Sequence, residues 1–162
     1  MTADTSIFPK PRHNHGHCMR HALDKAESVC KEKGVRLTEN RRAVLEIVWM
    51  SHCPVTAYEI LEQFHRKGKK VQAPMVYRCL EFLLQYDLVH RVESMNAYVG
   101  CQHPSKPHAA ELLICRSCGV AAEVVNEPLE RNLRQFARKH GFTLQDRVVE
   151  LTGLCDHCRE SG

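Results

Sequence analysis

Apolar residues recur every three to four positions along residues 19–86, which is the period of amphipathic α-helices. Turn and capping residues divide this region into four stretches. Gly34 can end the first stretch, and Thr38 can cap the start of the second. Thr56 opens the third stretch with a glutamate three residues later, and Pro74 lies in the first turn of the fourth. The pattern therefore predicts four helices.

The chain changes to shorter apolar runs after residue 86. The segments LVHRVE and NAYVG, with SM between them, predict a hairpin. Short helices followed by a hairpin are the outline of a winged helix-turn-helix, in which the helix before the hairpin enters the DNA major groove. We therefore predict a winged-helix domain over residues 19–100.

The fourth helix is the candidate for DNA recognition. Tyr77 and Arg78 fall opposite its apolar stripe, and Lys69 and Lys70 in the preceding loop can contact phosphates. A solvent-exposed helix face has the same pattern, so the pattern alone leaves DNA binding open.

Residues 101–162 predict a small unit of two strands, a helix and a last strand, in the segments AELLIC, VAAEVV, EPLERNLRQFARKHG and FTLQDRVVELTG. Such a unit has a thin core and an exposed sheet edge, and a second copy would cover both. The predicted fold class is α+β, with an N-terminal winged helix-turn-helix domain and a small C-terminal α/β dimerisation domain. The inward side of its helix is expected to carry Leu129, Leu133, Phe136 and Ala137.

Two Cys-x-x-Cys pairs mark the beginning and the end of this C-terminal unit. Each pair makes a tight turn that directs both sulfurs at one metal, and four thiolates suit tetrahedral zinc. A redox dithiol and a disulfide are the alternatives, but two pairs outside a thioredoxin-like context favour zinc. The predicted structural site consists of Cys115, Cys118, Cys155 and Cys158.

A second set of potential ligands straddles the junction of the two domains. Singly, each has an ordinary explanation as a core or surface residue, but together they offer nitrogen, sulfur, nitrogen and oxygen donors. His103 lies in the same loop as His108 and is an alternative to it. The set consists of His90, Cys101, His108 and Glu123.

The chain carries a net charge of +4, and the excess of Lys and Arg lies in residues 1–100. A polyanion would therefore bind to this part of the chain. No apolar run approaches the length of a membrane span, and the N-terminus lacks the apolar stretch of a signal peptide. We expect a cytoplasmic protein without membrane contact. Nine cysteines in a reducing compartment are expected to be thiols or metal ligands.

Residues 1–18 are rich in proline and histidine and are interpreted as a flexible tail. A floppy metal site has ordering entropy to overcome, so we favour a tail without a role over an additional low-affinity site. The potential ligands of such a site are His13, His15, His17, Cys18 and His21.

The chain resembles the ferric uptake regulator family, and specifically its zinc uptake regulator branch. The resemblance runs from about residue 22 to residue 158 and rests on several motifs in the same order. It implies dimeric winged-helix metalloregulators whose C-terminal domain dimerises and whose metal loading favours operator binding. The motifs are RLTENRRAVLEIV, TAYEILEQF, PMVYRCLEFLLQYDLVHRVES, NAYVGC, LICRSCG and GLCDHC.

The resemblance also implies roles for individual residues. The four paired cysteines match the family's structural zinc site, and the set from His90 to Glu123 matches the sensing site of the zinc branch. Tyr58 and Arg78 match positions that read DNA in that branch. Two zinc ions per subunit, a homodimer and an operator with an inverted repeat are the corresponding expectations.

Other members of the family sense iron or peroxide. Iron sensors carry a dense His-His-Asp-His run before the first cysteine pair, where this chain reads KPHAAEL. The soft thiolate of Cys101 also favours zinc over Fe²⁺ or Mn²⁺. An iron or peroxide sensor is therefore the disfavoured alternative within the family.

We predict a zinc-responsive transcriptional regulator that represses zinc-uptake genes, has no small-molecule substrate and is not an enzyme. A thiol oxidoreductase that uses the Cys-x-x-Cys pairs is the alternative from another class. The sequence shows no nucleophile–base pairing or phosphate-binding glycine loop in its favour. A zinc-ribbon protein that mediates protein contacts only is a third, weaker alternative.

Overall fold

The computed structural model describes residues 7–9, 14–104, 108 and 110–160. The N-terminal half contains α1 (His15–Glu32), α2 (Glu39–Val48), β1 (Val55–Thr56), α3 (Ala57–Arg66), α4 (Ala73–Gln85), β2 (Val89–Val92), a 3₁₀ turn (Glu93–Met95) and β3 (Ala97–Gly100). The C-terminal half contains β4 (Glu111–Cys115), β5 (Ala121–Val124), α5 (Glu127–Lys139), β6 (Val149–Gly153) and α6 (Asp156–Glu160).

Local capping signals set the boundaries of α2, α3 and α4, and these three helices are confirmed. The hydroxyl of Thr38 accepts from the backbone N–H of Arg41 at 3.5 Å. Thr56 and Glu59 form a reciprocal capping box, with the Thr56 N–H donating to the Glu59 carboxylate at 2.7 Å. Pro74 lies in the first turn of α4, where a missing N–H costs no helical hydrogen bond.

The first helix begins earlier than the sequence pattern predicts. α1 starts at His15 because the Asn14 side chain accepts from the backbone N–H of His17 at 3.2 Å. Residues 15–18 therefore belong to a helix and not to a flexible tail, which corrects the predicted boundary at residue 18. His13, named above as a potential ligand, lies outside the described residues.

The predicted hairpin of the winged-helix domain is confirmed, and it is part of a larger sheet. The strand order is β1-β3-β2, and all neighbours are antiparallel. The two-residue strand β1 was not predicted, because a strand this short has no period to recognise. The sheet closes against the helices over a core whose largest fully buried side chains are Phe64, Leu45, Ile60, Leu80 and Leu83.

The C-terminal unit is a second sheet with the order β5-β4-β6. β4 pairs antiparallel with β5 and parallel with β6, and the connection through α5 makes this parallel pairing possible. The last strand is shorter than the predicted segment and begins only at Val149. In the part before it, Arg147 turns inward and its guanidinium pairs with the buried carboxylate of Glu111 at 2.7 Å.

The side of α5 that was expected to face inward is only partly covered within the protomer. Ala137 is buried and Leu129 and Leu133 are half-buried, whereas Phe136 is 63% exposed. The expectation was therefore wrong for Phe136 in the isolated chain. Several other large apolar side chains of the same unit are also exposed, namely Val125, Phe142, Val148, Leu151 and Leu154.

The two sheets meet in a small apolar cluster at the junction of the domains. The backbone N–H of Ala121 adds a hydrogen bond to the carbonyl oxygen of His52 at 2.9 Å, across the same junction. The cluster consists of Val92 and Val99 from the first sheet and Leu112, Ile114 and Ala121 from the second.

No helix among the described residues is long and apolar enough to cross a lipid bilayer.

Gly100, at the end of β3, lies directly against the indole of Trp49. A Cβ atom added there would come within 2.1 Å of the ring, whereas a Cβ added at Gly153 would meet nothing within 4 Å. We expect Gly100→Ala to lower the free energy of unfolding by about 1–3 kcal/mol, because the buried ring has to shift. Urea unfolding compared with the matched control Gly153→Ala tests this. Equal stability of the two variants would contradict it.

Candidate metal centres and nucleic-acid interface

The parallel pairing of β4 with β6 brings the two Cys-x-x-Cys turns together. Cys115 ends β4 opposite Gly153 of β6, and Cys155 follows two residues later. The backbone N–H of Cys155 donates to the Cys115 sulfur at 3.4 Å, and the sulfurs of Cys118 and Cys155 lie 3.8 Å apart. All four donor atoms of this cysteine quartet lie within 4.8 Å of one another.

The electrostatics of the cysteine quartet favour a bound cation. Hydrogen bonds from the Cys118 and Cys155 backbone lower the pKa of Cys115 to about 6. The backbone N–H of Val120 favours a thiolate at Cys118, but burial and the neighbouring sulfurs outweigh it and raise the pKa of Cys118 to about 12. Four clustered thiolates therefore need a positive charge between them, and a tetrahedral sulfur set fits Zn²⁺.

The second predicted ligand set also comes together, as a quartet drawn from both domains. His90 lies on β2 of the winged-helix domain, and Glu123 lies on β5 of the C-terminal unit. Cys101 directly follows β3, and His108 lies in the loop that leads to β4. The four donor atoms of this junction quartet lie within 4.8 Å of one another.

Glu123 is the centre of the junction quartet. One carboxylate oxygen contacts the His108 Nε2 and lies 3.3 Å from the His90 Nε2, while the other accepts from the Gln102 backbone N–H at 2.8 Å. The Cys101 sulfur lies 3.7 Å from His108 and 4.0 Å from Glu123. The Glu123 side chain is only 2% exposed, so the quartet is shielded from water.

The two acids of the junction quartet are shifted in opposite directions. Burial opposes ionisation of Glu123, but His90, the Gln102 N–H and His108 outweigh it and lower the pKa of the carboxyl to about 2. Burial and the Glu123 charge raise the pKa of the Cys101 thiol well above its ordinary value of 9.0. Metal binding by Cys101 would therefore displace its proton. Two imidazoles, a thiolate and a carboxylate suit zinc.

His103, the alternative to His108, lies outside the junction quartet. Its side chain is exposed, and its ring centroid is 6.5 Å from that of His108. The loop places only the His108 ring beside His90, with 5.1 Å between the ring centroids. The alternative between the two histidines could not be decided from spacing, because it depends on how the loop folds back onto β5.

Glu150 on β6 is a contact between the domains that the sequence did not suggest. Its carboxylate accepts from the backbone N–H of Glu93 at 2.6 Å and of Ser94 at 3.2 Å, in the turn between β2 and β3. Burial opposes its ionisation, but the hydrogen bonds from Ser94 and from the Glu93 backbone lower the pKa of Glu150 below its ordinary value of 4.5. No motif marks such a residue, since its partners are backbone groups.

The predicted DNA-binding residues are all exposed. On α4, Tyr77 is 51% exposed, and the exposed Arg78 donates from Nε to the Pro74 carbonyl at 3.2 Å. Tyr58 on α3 is 69% exposed. Lys69 and Lys70 lie exposed in the loop between α3 and α4, and the Lys69 ammonium is 3.8 Å from the Glu39 carboxylate of α2. The arrangement can present aromatic and cationic groups to a polyanion.

The cysteines in this structure are all free. The 3.8 Å between the Cys118 and Cys155 sulfurs is well beyond the length of about 2 Å of a disulfide. The structure therefore offers the cysteine quartet as four thiol or thiolate ligands.

A sequence model of the ferric uptake regulator family matches residues 32–152. The zinc uptake regulation protein of Escherichia coli (strain K12) is 37% identical over 139 residues, which are 85% of this chain and 81% of that protein. A structure of a zinc uptake regulator complexed with zinc and DNA superposes with a TM-score of 0.82 at 36% identity. The superposed region covers 88% of this chain and 96% of the chain in that structure.

Two crystal structures of XcZur match this chain to different extents. Both are 37% identical to this chain. The holo structure superposes with a TM-score of 0.78 over 85% of this chain and 96% of its own, whereas the apo structure reaches only 0.51 over 87% and 97%. The described structure is therefore more similar to the holo form than to the apo form.

Glu150 should make stability depend on pH. Because the folded-state pKa of Glu150 is depressed, its carboxylate stabilises the fold fully when the pH is above the ordinary pKa of 4.5. This contribution is lost as the pH falls through the folded-state pKa. Glu150→Gln should cost on the order of 1 kcal/mol at pH 7.

Urea unfolding of the wild type and the variant across the acid range measures this difference, which should shrink toward low pH. Glu81→Gln, at an exposed carboxylate on α4, is the control. A pH-independent difference for Glu150→Gln would show that the carboxylate charge has no part in this contact.

Proposed function

The chain belongs to the ferric uptake regulator family and is a zinc-responsive transcription regulator, and we propose that it represses zinc-uptake genes by binding their operators as a zinc-loaded homodimer. The family is one of transcription regulators, which is not an enzyme class. The observation that carries the proposal is the junction quartet, a buried set of zinc-type donors that joins the DNA-binding domain to the C-terminal unit.

We assign a structural role to the cysteine quartet. Its sulfurs come from the two ends of the C-terminal unit, so a metal held there links the beginning of β4 to the segment after β6. Zinc contributes strongly to the folding of small modules of this kind. With the junction quartet as a second site, each subunit would hold two zinc ions.

The junction quartet is the proposed sensor. His90 belongs to the wing, which is the hairpin of β2 and β3, and Glu123 belongs to the C-terminal unit. Cys101 and His108 lie on the connection between them. Zinc, when bound, supplies the positive charge that holds these four donors together. The carboxylate of Glu150 and the apolar cluster then keep the wing seated against the second sheet. With the sensor empty, fewer contacts would oppose movement of the domains, and such coupling is typically worth ~1–3 kcal/mol.

The proposed DNA contacts separate into recognition and positioning. α4 enters the major groove with Arg78 toward a base edge, and Tyr58 and Tyr77 flank it. Lys69 and Lys70 contact phosphates from the preceding loop. In a dimer, two winged-helix domains held at a fixed separation would match two half-sites of an inverted repeat.

The proposed dimer uses the exposed apolar side chains of the C-terminal unit. Phe136 on α5 and Leu151 on β6 are more than half exposed, and β6 is an edge strand. A second copy of the chain would pair with the open strand edge and cover these exposed apolar side chains.

A titration of DNA binding against buffered free zinc, on a pool of random duplexes, tests the function directly. The expected result is selection of one inverted-repeat sequence with an affinity that rises as zinc rises. An affinity for the selected duplexes that does not change with the free zinc concentration would contradict a zinc-responsive regulator.

The cysteine quartet predicts coupled loss of metal, fold and dimer. We expect Cys158→Ser to release a tightly held zinc and to unfold the C-terminal unit, since structural zinc contributes on the order of 10 kcal/mol in small zinc modules. Native mass spectrometry gives the zinc content, and analytical ultracentrifugation gives the oligomeric state. A folded dimer that lacks this metal would disprove the structural role.

The junction quartet predicts a separable effect. Cys101→Ser should keep the fold, the dimer and the structural zinc. It should lower the affinity of the junction quartet for zinc by roughly tenfold or more, because a hard hydroxyl replaces a soft thiolate. The DNA titration should shift to higher free zinc by the same factor. Cys53→Ser is the control, at a half-buried cysteine outside both quartets whose contact with the Cys118 carbonyl a serine hydroxyl can still make. An unshifted response in Cys101→Ser would remove Cys101 from the sensor.

The α4 surface predicts two kinds of DNA-binding defect. Arg78→Ala should relax the preference at one base position of each half-site by ~1–3 kcal/mol, because arginine donates two hydrogen bonds to guanine. Lys70→Ala should weaken all sequences about equally and reduce the salt dependence by about one charge. Affinities on matched and mismatched duplexes separate the two effects. Uniform weakening by Arg78→Ala would make that residue a phosphate contact.

A further inference from the structure

A cleft of about 370 Å³ lies between α1 and the segment that follows β3. Five of its eleven lining residues are cysteine or histidine, against 20 of 162 in the whole chain. This concentration of soft donors is not used by the proposed sensor, with the exception of one shared wall residue. The five are Cys18, His21, His52, Cys101 and His103.

The middle of α1 is held against this segment by a direct contact. Lys25 donates from its ammonium to the carbonyl oxygen of Gln102 at 3.1 Å. Cys18 and His21 are three residues apart, and His21 and Lys25 are four apart, so all three lie along one side of the helix. The side that carries Cys18 and His21 therefore runs along residues 101–103, where His103 faces the same cleft.

We propose that Cys18, His21 and His103 form a third metal site, for zinc or another thiophilic divalent cation. A thiolate and two imidazoles with one open position are a donor set that zinc accepts. The inference goes beyond the proposed regulator function, because it concerns residues outside both quartets.

The third site is weaker than the two quartets. Among the described residues, only the two quartets have all their donor atoms within 4.8 Å of one another, so the third site closes by side-chain rotation. His21 and His103 are exposed and Cys18 is half-buried, which leaves the two rings room to turn. The cost of ordering these side chains lowers the affinity.

The objection to a metal site in a floppy tail does not apply to these residues. The Asn14 cap fixes the start of α1, and the contact between Lys25 and Gln102 fixes its middle, so Cys18 and His21 lie between two anchored points. Two of the three donors are therefore carried by an ordered helix, and the third lies two residues after Cys101, which is 3% exposed.

Cobalt and zinc titrations of the full-length protein test the site. The expected result is three metal equivalents per subunit. The third should be released first to a competing chelator, and with cobalt it should add a thiolate-to-metal charge-transfer band. The double variant Cys18→Ser, His21→Ala should lose the third equivalent and its band and keep the first two. His17→Ala, one turn away on α1 and outside the cleft lining, is the matched control and should keep all three.

Two results would overturn the proposal. One is a wild-type protein that binds no third equivalent, and the other is a double variant that retains it. His103→Ala adds a further discrimination, because it should lose only the third equivalent and keep the zinc response of DNA binding. If His103→Ala instead abolished that response, His103 would belong to the sensor and the third site would be wrong. Failure of the regulator function itself would appear separately, as wild-type DNA binding that ignores zinc. Circular dichroism verifies that each variant is folded.

Discussion

The buried carboxylate of Glu123 is the contact on which the arrangement of the two domains depends. A charged group in an apolar setting is stable only when hydrogen bonds and opposite charge replace the lost water. Its partners come from both sides of the junction: His90 from the wing, His108 and the Gln102 N–H from the connection. The carboxylate therefore has its full set of partners only while the wing lies against the second sheet.

The remaining contacts across the junction are few, and this makes the arrangement suitable as a switch. Among the described residues, five small or medium apolar side chains, one backbone hydrogen bond, the Glu150 carboxylate and the contact of the Cys53 thiol with the Cys118 carbonyl link the two domains. In the proposed mechanism, a change at the junction would move α4 together with its domain relative to the C-terminal unit. The similarity to holo rather than apo XcZur is consistent with a junction that has two arrangements.

Local features were predictable from the sequence, and features that depend on tertiary packing were not. The cap at Thr56 and the proline at position 74 act within one helical turn, so the helices they mark were found. The burial of Phe136 was predicted wrongly, because helical periodicity identifies an apolar side without telling which molecule covers it. Glu150 was missed because it binds backbone amides. His108 could not be separated from His103, since spacing along the chain does not tell which of the two rings lies beside Glu123.

Amide hydrogen exchange at the domain junction tests the coupling most directly. The backbone N–H groups of Glu93, Ser94 and Ala121 each donate across the junction, so their exchange reports whether it is closed. The measurement compares the wild type with Glu123→Gln, with the structural zinc retained and free zinc either buffered low or saturating for the sensor. We predict that zinc slows exchange of these three amides in the wild type and not in Glu123→Gln. Equal exchange in the wild type with and without zinc would contradict the coupling of zinc binding to domain closure.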